Sequence, residues 1–518
     1  MNEPEPAVWR MNQHPQSQGD AWKSLRERLE REWLPAWVAD RRWFQAKSRH
    51  PDRVQWVDGA RLATGGPGDH LWMVARIWSG EVPVGQYQIP LAMIPERSRD
   101  VEPAAIVART SLHGQSVWIV DALAMPELPR WLVGLIESGS GFATERGAFT
   151  GEPTAAFPGL ASGPLEPVRL SRAEQSHSNI IFGDGLLLKV FRGLADGINP
   201  DVELTRALTE RTSFRNMPAL AGAIGYAHSD DSSPGFAHAA MLQQFVPSRG
   251  QGWEWMRERL VEWLDADRAG EAARFEAILG ETLDDVAILA RRTAELHRAL
   301  ASIRDDPEFE PIAFGPEDWI GTSEAIRRQA ASTRRSAVAS GATVAYPILD
   351  RVEQWLSGQE HAINPARLGE RQRIHGDLHL GQTLRTDHDY IFLDFEGEPT
   401  RPVEERRRKQ SPLRDVAGML RSFDYVAFAA AASARSRHVG REPRLGQLAR
   451  EWSANAEAKF LEVYSAHDPT PGGLGEDRRA LLDRLLVEKA LYELDYELNN
   501  RPDWADLPLG GLTRLLER

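Results

Sequence analysis

Cysteine is absent from the 518 residues, which excludes disulfides and thiol chemistry. No apolar run approaches the ~18–20 residues that a membrane-spanning helix needs. The opening MNEPEPAVWRMNQHPQSQGD has no apolar stretch, so residues 1–20 read as a disordered leader and not as a signal peptide. An excess of positive charge is also missing. The formal net charge is −13, which gives no support to binding of nucleic acid or an anionic membrane. These features fit a cytoplasmic protein. Tryptophan is plentiful, at 17 residues, and is expected mainly as large core anchors rather than as a carbohydrate-stacking surface.

A chain this long exceeds one ordinary core, so several structural units are expected. Leu25, Leu29 and Trp33 recur at helical spacing, and Pro35 should end that helix. Trp33, Leu34, Trp37, Trp43 and Phe44 must then bury under something. Residues 53–120 alternate in short apolar runs between Gly/Pro turns, which predicts a small antiparallel sheet with a helix packed on it. LPRWLVGLIESG predicts a short helix, and the Gly/Thr/Ala-rich GSGFATERGAFTGEPTAAFPG reads as loop and hinge. Strands resume over 165–246, with a hairpin at Gly183-Asp184-Gly185 and a helix near Pro200–Glu210. From Trp253 onward the periodicity is helical. The fold class is therefore α+β with a bilobal layout. Its divisions are a leader (1–20), an N-terminal β-rich cap (21–135), a small ATP-binding subdomain (136–248) and a helical C-terminal part (249–518).

The chemistry concentrates in Ile374–Tyr425. Asp377 follows an HG pair, Gln382 stands five residues on, and Asp394 ends the strand-like YIFLDF. A protein kinase sets its base, its metal-binding amide and its metal-binding acid in this order at nearly this spacing. Asp377 is then the base, and Gln382 and Asp394 offer Mg²⁺ the hard oxygen ligands it prefers. The bland alternative is a loop cap and a salt-bridged strand end. His375 and Gly376 shape the loop, and His379 packs inside it rather than ligating metal. Glu396 and Glu398 form a second layer or a rim for substrate hydroxyls. The run Glu404–Lys409 reads as a solvated face, and Arg414 with Asp415 as a structural pair that fixes the loop.

Upstream, Lys189 lies inside the apolar strand LLLKVF, where burial without a counter-charge is costly. It either faces solvent or meets an anion, with Glu203 as its candidate partner. AEQSHSN (Ala173–Asn179, with Ser176) offers small polar groups to phosphates or is an ordinary turn. Gln243, Gln244, Phe245 and Val246 end a strand where a backbone hinge could meet an adenine edge. Near the C-terminus, Lys489, Tyr492, Glu493 and Tyr496 share one helix stripe, while Val487, Leu491, Leu494 and Leu498 share another and should face the core. The first stripe suits a sugar site or a solvated face.

HGDLHLGQTLRT, the stretch FLDFEGEPTRPVEERRRKQSPLRDVAGMLRSFDY, LPAWVADRRWFQAK, AEQSHSNIIFGDGLLLKVFR, NPDVELTRALTE and EKALYELDYELNNRPDW closely resemble the bacterial maltokinases. The resemblance implies an aminoglycoside-phosphotransferase-like, protein-kinase-like fold with an added N-terminal cap. It implies phosphorylation of maltose at the anomeric hydroxyl by ATP with Mg²⁺, beside a trehalose synthase that supplies the maltose, with the product feeding α-glucan synthesis. It places Lys189 and Glu203 on the triphosphate, Asp377 as base, Gln382 and Asp394 on the metal, and Lys489, Tyr492 and Tyr496 on the sugar. His375 and Glu396 complete the expected substrate contacts. DFE replaces the DFG of protein kinases, and Gln replaces Asn, both usual in this family. Two rivals stay open: a glucosamine kinase using Glu493 or Asp495 for the ammonium, and a non-catalytic pseudokinase scaffold bound to trehalose synthase.

Overall fold

A computed structural model describes residues 15–44, 49–65, 68–96, 100–112, 114–171, 177–229, 234–358, 364–398, 401–468, 470 and 473–517. The chain divides into two compact units, Met1–Glu210 with Pro218–Val246, and Arg211–Met217 with Pro247–Arg518.

In the first unit, helix α1 (Pro15–Arg28) passes through a π-turn at Leu29–Trp33 into α2 (Leu34–Ala39). Residues 15–20, expected within the leader, already belong to this helix. Pro35 does not end it. It sits in the first turn of α2, where a missing N–H costs nothing. A five-stranded antiparallel sheet follows, in the order β1-β2-β3-β5-β4. Its strands are β1 (Arg53–Leu62), β2 (Asp69–Ser79), β3 (Val82–Pro95), β4 (Ile106–Leu112) and β5 (Gln115–Asp121). The period of two divides each central strand between two cores. Met73, Ala75, Ile77, Ile89 and Leu91 join Leu25, Leu34, Trp37, Trp43 and Phe44 of the helical layer. Trp72, Val74, Ala92 and Ile94 join the core shared with helix α3 (Glu127–Ser138) and a second sheet.

That second sheet has seven strands in the order β6-β7-β11-β12-β10-β9-β8. They are β6 (Gly141–Ala143), β7 (Gly147–Pro153), β8 (Val168–Leu170), β9 (His177–Phe182), β10 (Leu186–Phe191), β11 (Leu220–Ser229) and β12 (Pro234–Gln244), with short α4 (Phe157–Leu160) and α5 (Pro200–Arg211) between. The segment read as a Gly-rich hinge is therefore β6 and β7. Gly151 of this segment serves packing, as does Gly222 of the neighbouring β11: a Cβ on Gly151 would lie 2.4 Å from the Leu135 carbonyl oxygen, and one on Gly222 2.4 Å from Ile136 Cγ2. Removing side chains there lets α3 lie directly on the sheet, and it also erases the alternation that marks a strand.

The second unit is mainly helical: α6 (Gly252–Ala269), α7 (Ala272–Ala301), α8 (Pro316–Ser340), α9 (Tyr346–Gly358), α10 (Val403–Arg406), α11 (Leu413–Ala434), α12 (Glu442–His467), α13 (Glu476–Asn500) and α14 (Asp506–Leu515). Strands β13 (Gly250–Gln251), β16 (Thr383–Arg385) and β17 (Tyr390–Phe392) form a small sheet, and β14 (Ile312–Ala313) pairs with β15 (Glu370–Arg371). Helix α13 packs against α8, α11 and α14. Val487, Leu491, Leu494 and Leu498 are buried on it, as their stripe required. No described helix is long and apolar enough to cross a membrane.

Candidate active site

The loop between β15 and β16 carries Asp377, and Asp415 in the first turn of α11 holds it. The two carboxylate oxygens of Asp415 accept from the backbone N–H groups of His375 and Gly376, each at 2.8 Å. Asp415 also meets His297 Nε2 at 3.1 Å, and His297 Nδ1 lies 2.9 Å from the Tyr464 hydroxyl. Burial raises the Asp415 carboxyl, but His297, His375 and the backbone donors reverse that, and its net direction is down. Gly376 takes a φ of 85°, and a Cβ there would sit 3.2 Å from the Gly397 Cα. Only glycine suits both conditions.

Lys489 reaches this loop from α13. Its Nζ donates to Asp377 Oδ1 at 3.2 Å and to Glu398 Oε1 at 3.0 Å, and it lies 5.0 Å from the centre of the Tyr492 ring. Arg401 Nε donates to the other Glu398 oxygen at 2.5 Å. Burial works to raise the Asp377 carboxyl, but the Lys489 charge, with His379 and His375, holds it below the usual carboxylate range. Glu398 is lowered the same way, with Lys489 and Arg401 outweighing burial. Burial alone would lower Lys489, yet Asp377, Glu398 and Glu493 raise it well above an ordinary lysine. Asp377 Oδ2 stands 3.9 Å from His379 Nε2, too far for a hydrogen bond. One oxygen is thus held and the other is open to a substrate hydroxyl.

Gln382 and Asp394 flank the β16–β17 hairpin. The Gln382 carbonyl accepts from the Leu393 N–H at 2.9 Å, so the two residues stand at one end of the ladder. Asp394 has a φ of 57° and is the one non-glycine residue with positive φ among the described residues. A left-handed backbone at aspartate costs about 1–2 kcal/mol and persists where surrounding structure imposes it. An amide oxygen and a half-buried carboxylate at this position are a donor set that fits Mg²⁺.

In the first unit, Lys189 of β10 is 1% exposed. Its Nζ donates to Asp201 Oδ2 at 2.7 Å. Asp201 lies in the first turn of α5, as does half-buried Glu203, two positions on. Desolvation is the chief cause that pushes half-buried His238 down to about 4, with the Arg206 charge adding to it and Glu203 opposing it. Gln243 and Gln244 pair with Leu187 and Leu186. The Gln244 and Phe245 N–H groups donate to Ala219 and Gly185, and among the described residues no hydrogen bond uses the Val246 N–H. Ser176 lies outside the described residues.

Several expectations are corrected. His375, expected on the substrate, is 1% exposed. Its Nε2 donates to the Leu393 carbonyl at 2.8 Å, and its ring packs on Phe395. It therefore ties the base's loop to the strand that precedes Asp394. Arg414 and Asp415 do not pair with each other. Adjacent helix positions point about 100° apart, so Arg414 forks onto Glu488 at 2.9 and 3.2 Å. The Glu404–Lys409 run is not simply solvated: Arg406 donates to the Glu396 carbonyl at 3.0 Å and Lys409 to that of Pro307 at 2.5 Å. The candidates for an ammonium are occupied. Glu493 is gripped by Arg421 at 2.7 and 2.8 Å, and Asp495 accepts from Gln329 and Ser336. Tyr496 is 47% exposed, under Arg501. His379 does pack within the loop, its Nδ1 accepting from the Gly381 N–H at 3.0 Å.

The Asp377 loop, the hairpin that ends at Asp394 and the β-rich first unit are features of a kinase-like fold. Residues 37–124 match the maltokinase N-terminal cap domain. A glucosamine kinase from Streptacidiphilus jiangxiensis is 27% identical over 460 residues, 82% of this chain and 96% of the relative. One from Mycolicibacterium smegmatis is 27% identical over 357 residues, 66% of this chain and 78% of the relative. A solved glucosamine kinase in complex with glucosamine, ADP and inorganic phosphate aligns with a TM-score of 0.56 at 21% identity, over 93% of this chain and 99% of that one. The N-terminal part is thus similar to a maltokinase cap, and the chain as a whole is similar in sequence to these glucosamine kinases and shares the fold of the solved one.

Proposed function

We propose that this protein transfers the γ-phosphoryl group of ATP to the anomeric hydroxyl of maltose. The observation that carries the reading is the single ammonium of Lys489 held between Asp377 and Glu398. Asp377 Oδ2 accepts the proton as the hydroxyl oxygen attacks. Lys489 keeps that carboxylate ionised and fixes its orientation. Gln382 and Asp394 would hold Mg²⁺, which would supply charge neutralisation on the phosphates. Lys189, oriented by Asp201, serves the nucleotide with Glu203, Ser176, Gln243, Gln244 and Phe245, and the Val246 N–H is the adenine donor. Tyr492, Tyr496 and Glu396 serve the sugar.

Glucosamine is the second acceptor to weigh, because the relatives named above are glucosamine kinases. Support for a neutral sugar comes from charge. Lys489 and Arg401 together already engage Asp377 and Glu398, and Glu493 and Asp495 are engaged by other residues. ATP consumption with maltose, glucosamine and glucose in parallel tests the reading, with ³¹P NMR locating the product phosphate. Maltose turnover giving an anomeric phosphate is expected. Turnover of glucosamine alone would overturn it. The same chemistry makes this an enzyme rather than a scaffold, and a partnership with a trehalose synthase is tested by co-purification of the two.

A further inference from the structure

Between β10 and α5 the chain runs beside β12. The Gly197 N–H donates to the Phe236 carbonyl at 2.7 Å, and Asn199 then caps α5. The Asn199 carbonyl accepts from the Glu203 N–H at 3.1 Å. Its side-chain oxygen accepts from the Asp201 N–H at 2.8 Å, with Pro200 in the first helical position. A cap's own N–H has no partner within its helix. The Asn199 N–H donates instead to His238 Nδ1 of β12, at 3.1 Å.

A bulge aims His238 at α5. Strand β11 pairs Ile224 with Ala240 but Gly225 with His238, so Ala239 is an extra residue on β12. Neighbours on β11 point to opposite faces, and paired residues share a face. His238 therefore lies on the face of Met241, which shares a small core with Val202 of α5. Without the extra residue, positions three apart on a strand would face opposite sides. The charges of Arg206 and Glu203, both on α5, bear on the His238 ring. Burial pushes that ring down to about 4, so Nδ1 keeps the lone pair that the Asn199 N–H needs. The same strand pairs Met241 with Lys189. Both ends of the Lys189–Asp201 pair are thus referred to β12, the lysine through the ladder and the carboxylate through His238 and Asn199.

We propose that His238 is a positioning residue for nucleotide binding: its imidazole anchors the cap of α5 and so sets where Asp201 holds the Lys189 ammonium, given that Lys189 contacts the nucleotide as proposed above. His238→Leu removes the acceptor, and His238→Asn puts an oxygen where Nδ1 stands. Hydrogen exchange over residues 199–205 of the full chain is followed by mass spectrometry without nucleotide, and ATP affinity is measured by calorimetry. In His238→Leu, exchange there is expected to be about tenfold faster, with exchange elsewhere in the chain unchanged as evidence of folding. ATP is expected to bind that variant about fivefold more weakly. His238→Asn should stay within about twofold of the parent in both measurements, because its oxygen accepts the same N–H. In a Lys189→Met background, His238→Leu should change ATP affinity by less than about twofold, since the tether acts through that lysine. Unchanged exchange or affinity in His238→Leu, equal losses in the Leu and Asn variants, or an undiminished loss in the Lys189→Met background would each overturn the proposal. ATP binding equal in the parent and in Lys189→Met would overturn the nucleotide reading of Lys189 and this proposal with it. Exchange, read without nucleotide, tells that failure from a failure of the tether.

Discussion

Lys189 and Lys489 are both lysines drawn out of solvent and met by carboxylates, and they are met differently. Lys189 and Asp201 have side chains only 2% and 3% exposed. Lys489 is shared between two carboxylates and is 20% exposed, with Asp377 at 17%. A closed pair holds a charge in one position. A shared ammonium beside a partly open carboxylate sets the ionisation of a group that can still be reached. In the proposed reaction, the difference would separate a positioning device from the group that handles the proton.

The largest expected effect falls on the open site. Asp377→Asn should lower kcat by ~10²–10⁴, the usual contribution of a general base, while ATP binding measured by calorimetry is retained. An unchanged rate would remove Asp377 as base. Next is Asp201→Ala, which takes away the carboxylate on Lys189 and should cost about 3 kcal/mol, in line with breaking a buried ion pair, read by denaturant unfolding. A loss below about 1 kcal/mol would show the pair to be less closed than its burial indicates.

The third prediction concerns pH. The base works ionised, and Asp377 is held below the ordinary aspartate value despite its burial. Activity should therefore persist as pH falls below ~4, the unperturbed value, and vanish only through the lowered one. Lys489→Met removes the chief opposing charge and leaves burial dominant, so the acidic limb of kcat should move to higher pH. A limb that stays in place contradicts the role given to Lys489. The same sign holds for stability. A carboxylate depressed on folding contributes stability above its unfolded pKa and loses it as pH falls through the folded one. The smallest effect is expected at exposed Tyr496. Tyr496→Ala should change stability by no more than ~0.5 kcal/mol and raise KM for the sugar with kcat unchanged. An unaltered KM takes it out of the acceptor site.

The cap's helix and sheet were legible because Leu25, Leu29 and the alternating runs of 53–120 carry strong periods. Strands β6 and β7 were not, because Gly147 and Gly151 occupy positions where an alternating side chain would announce a strand. In the candidate site, Asp377, Gln382 and Asp394 were visible through spacing along one segment. Asp201 was not legible as a partner of Lys189 because only the start of α5 on β10 brings that carboxylate within 2.7 Å. Asp415 was assigned to its neighbour Arg414, although a helix turns adjacent side chains apart.

By itself the sequence determined the order of chemistry along the chain: a buried strand lysine, a loop aspartate, an amide and an acid around a hairpin, and a lysine on an apolar C-terminal helix. These follow from local rules of burial and period that need no distant contact. The tertiary structure alone decided which charges meet. Lys489 reaches Asp377 across 112 positions of chain, and Asp415 reaches the His375 and Gly376 N–H groups from 40 and 39 positions away. Electrostatic contact depends on distances of a few ångströms, and those are set by how helices pack, which no local period encodes.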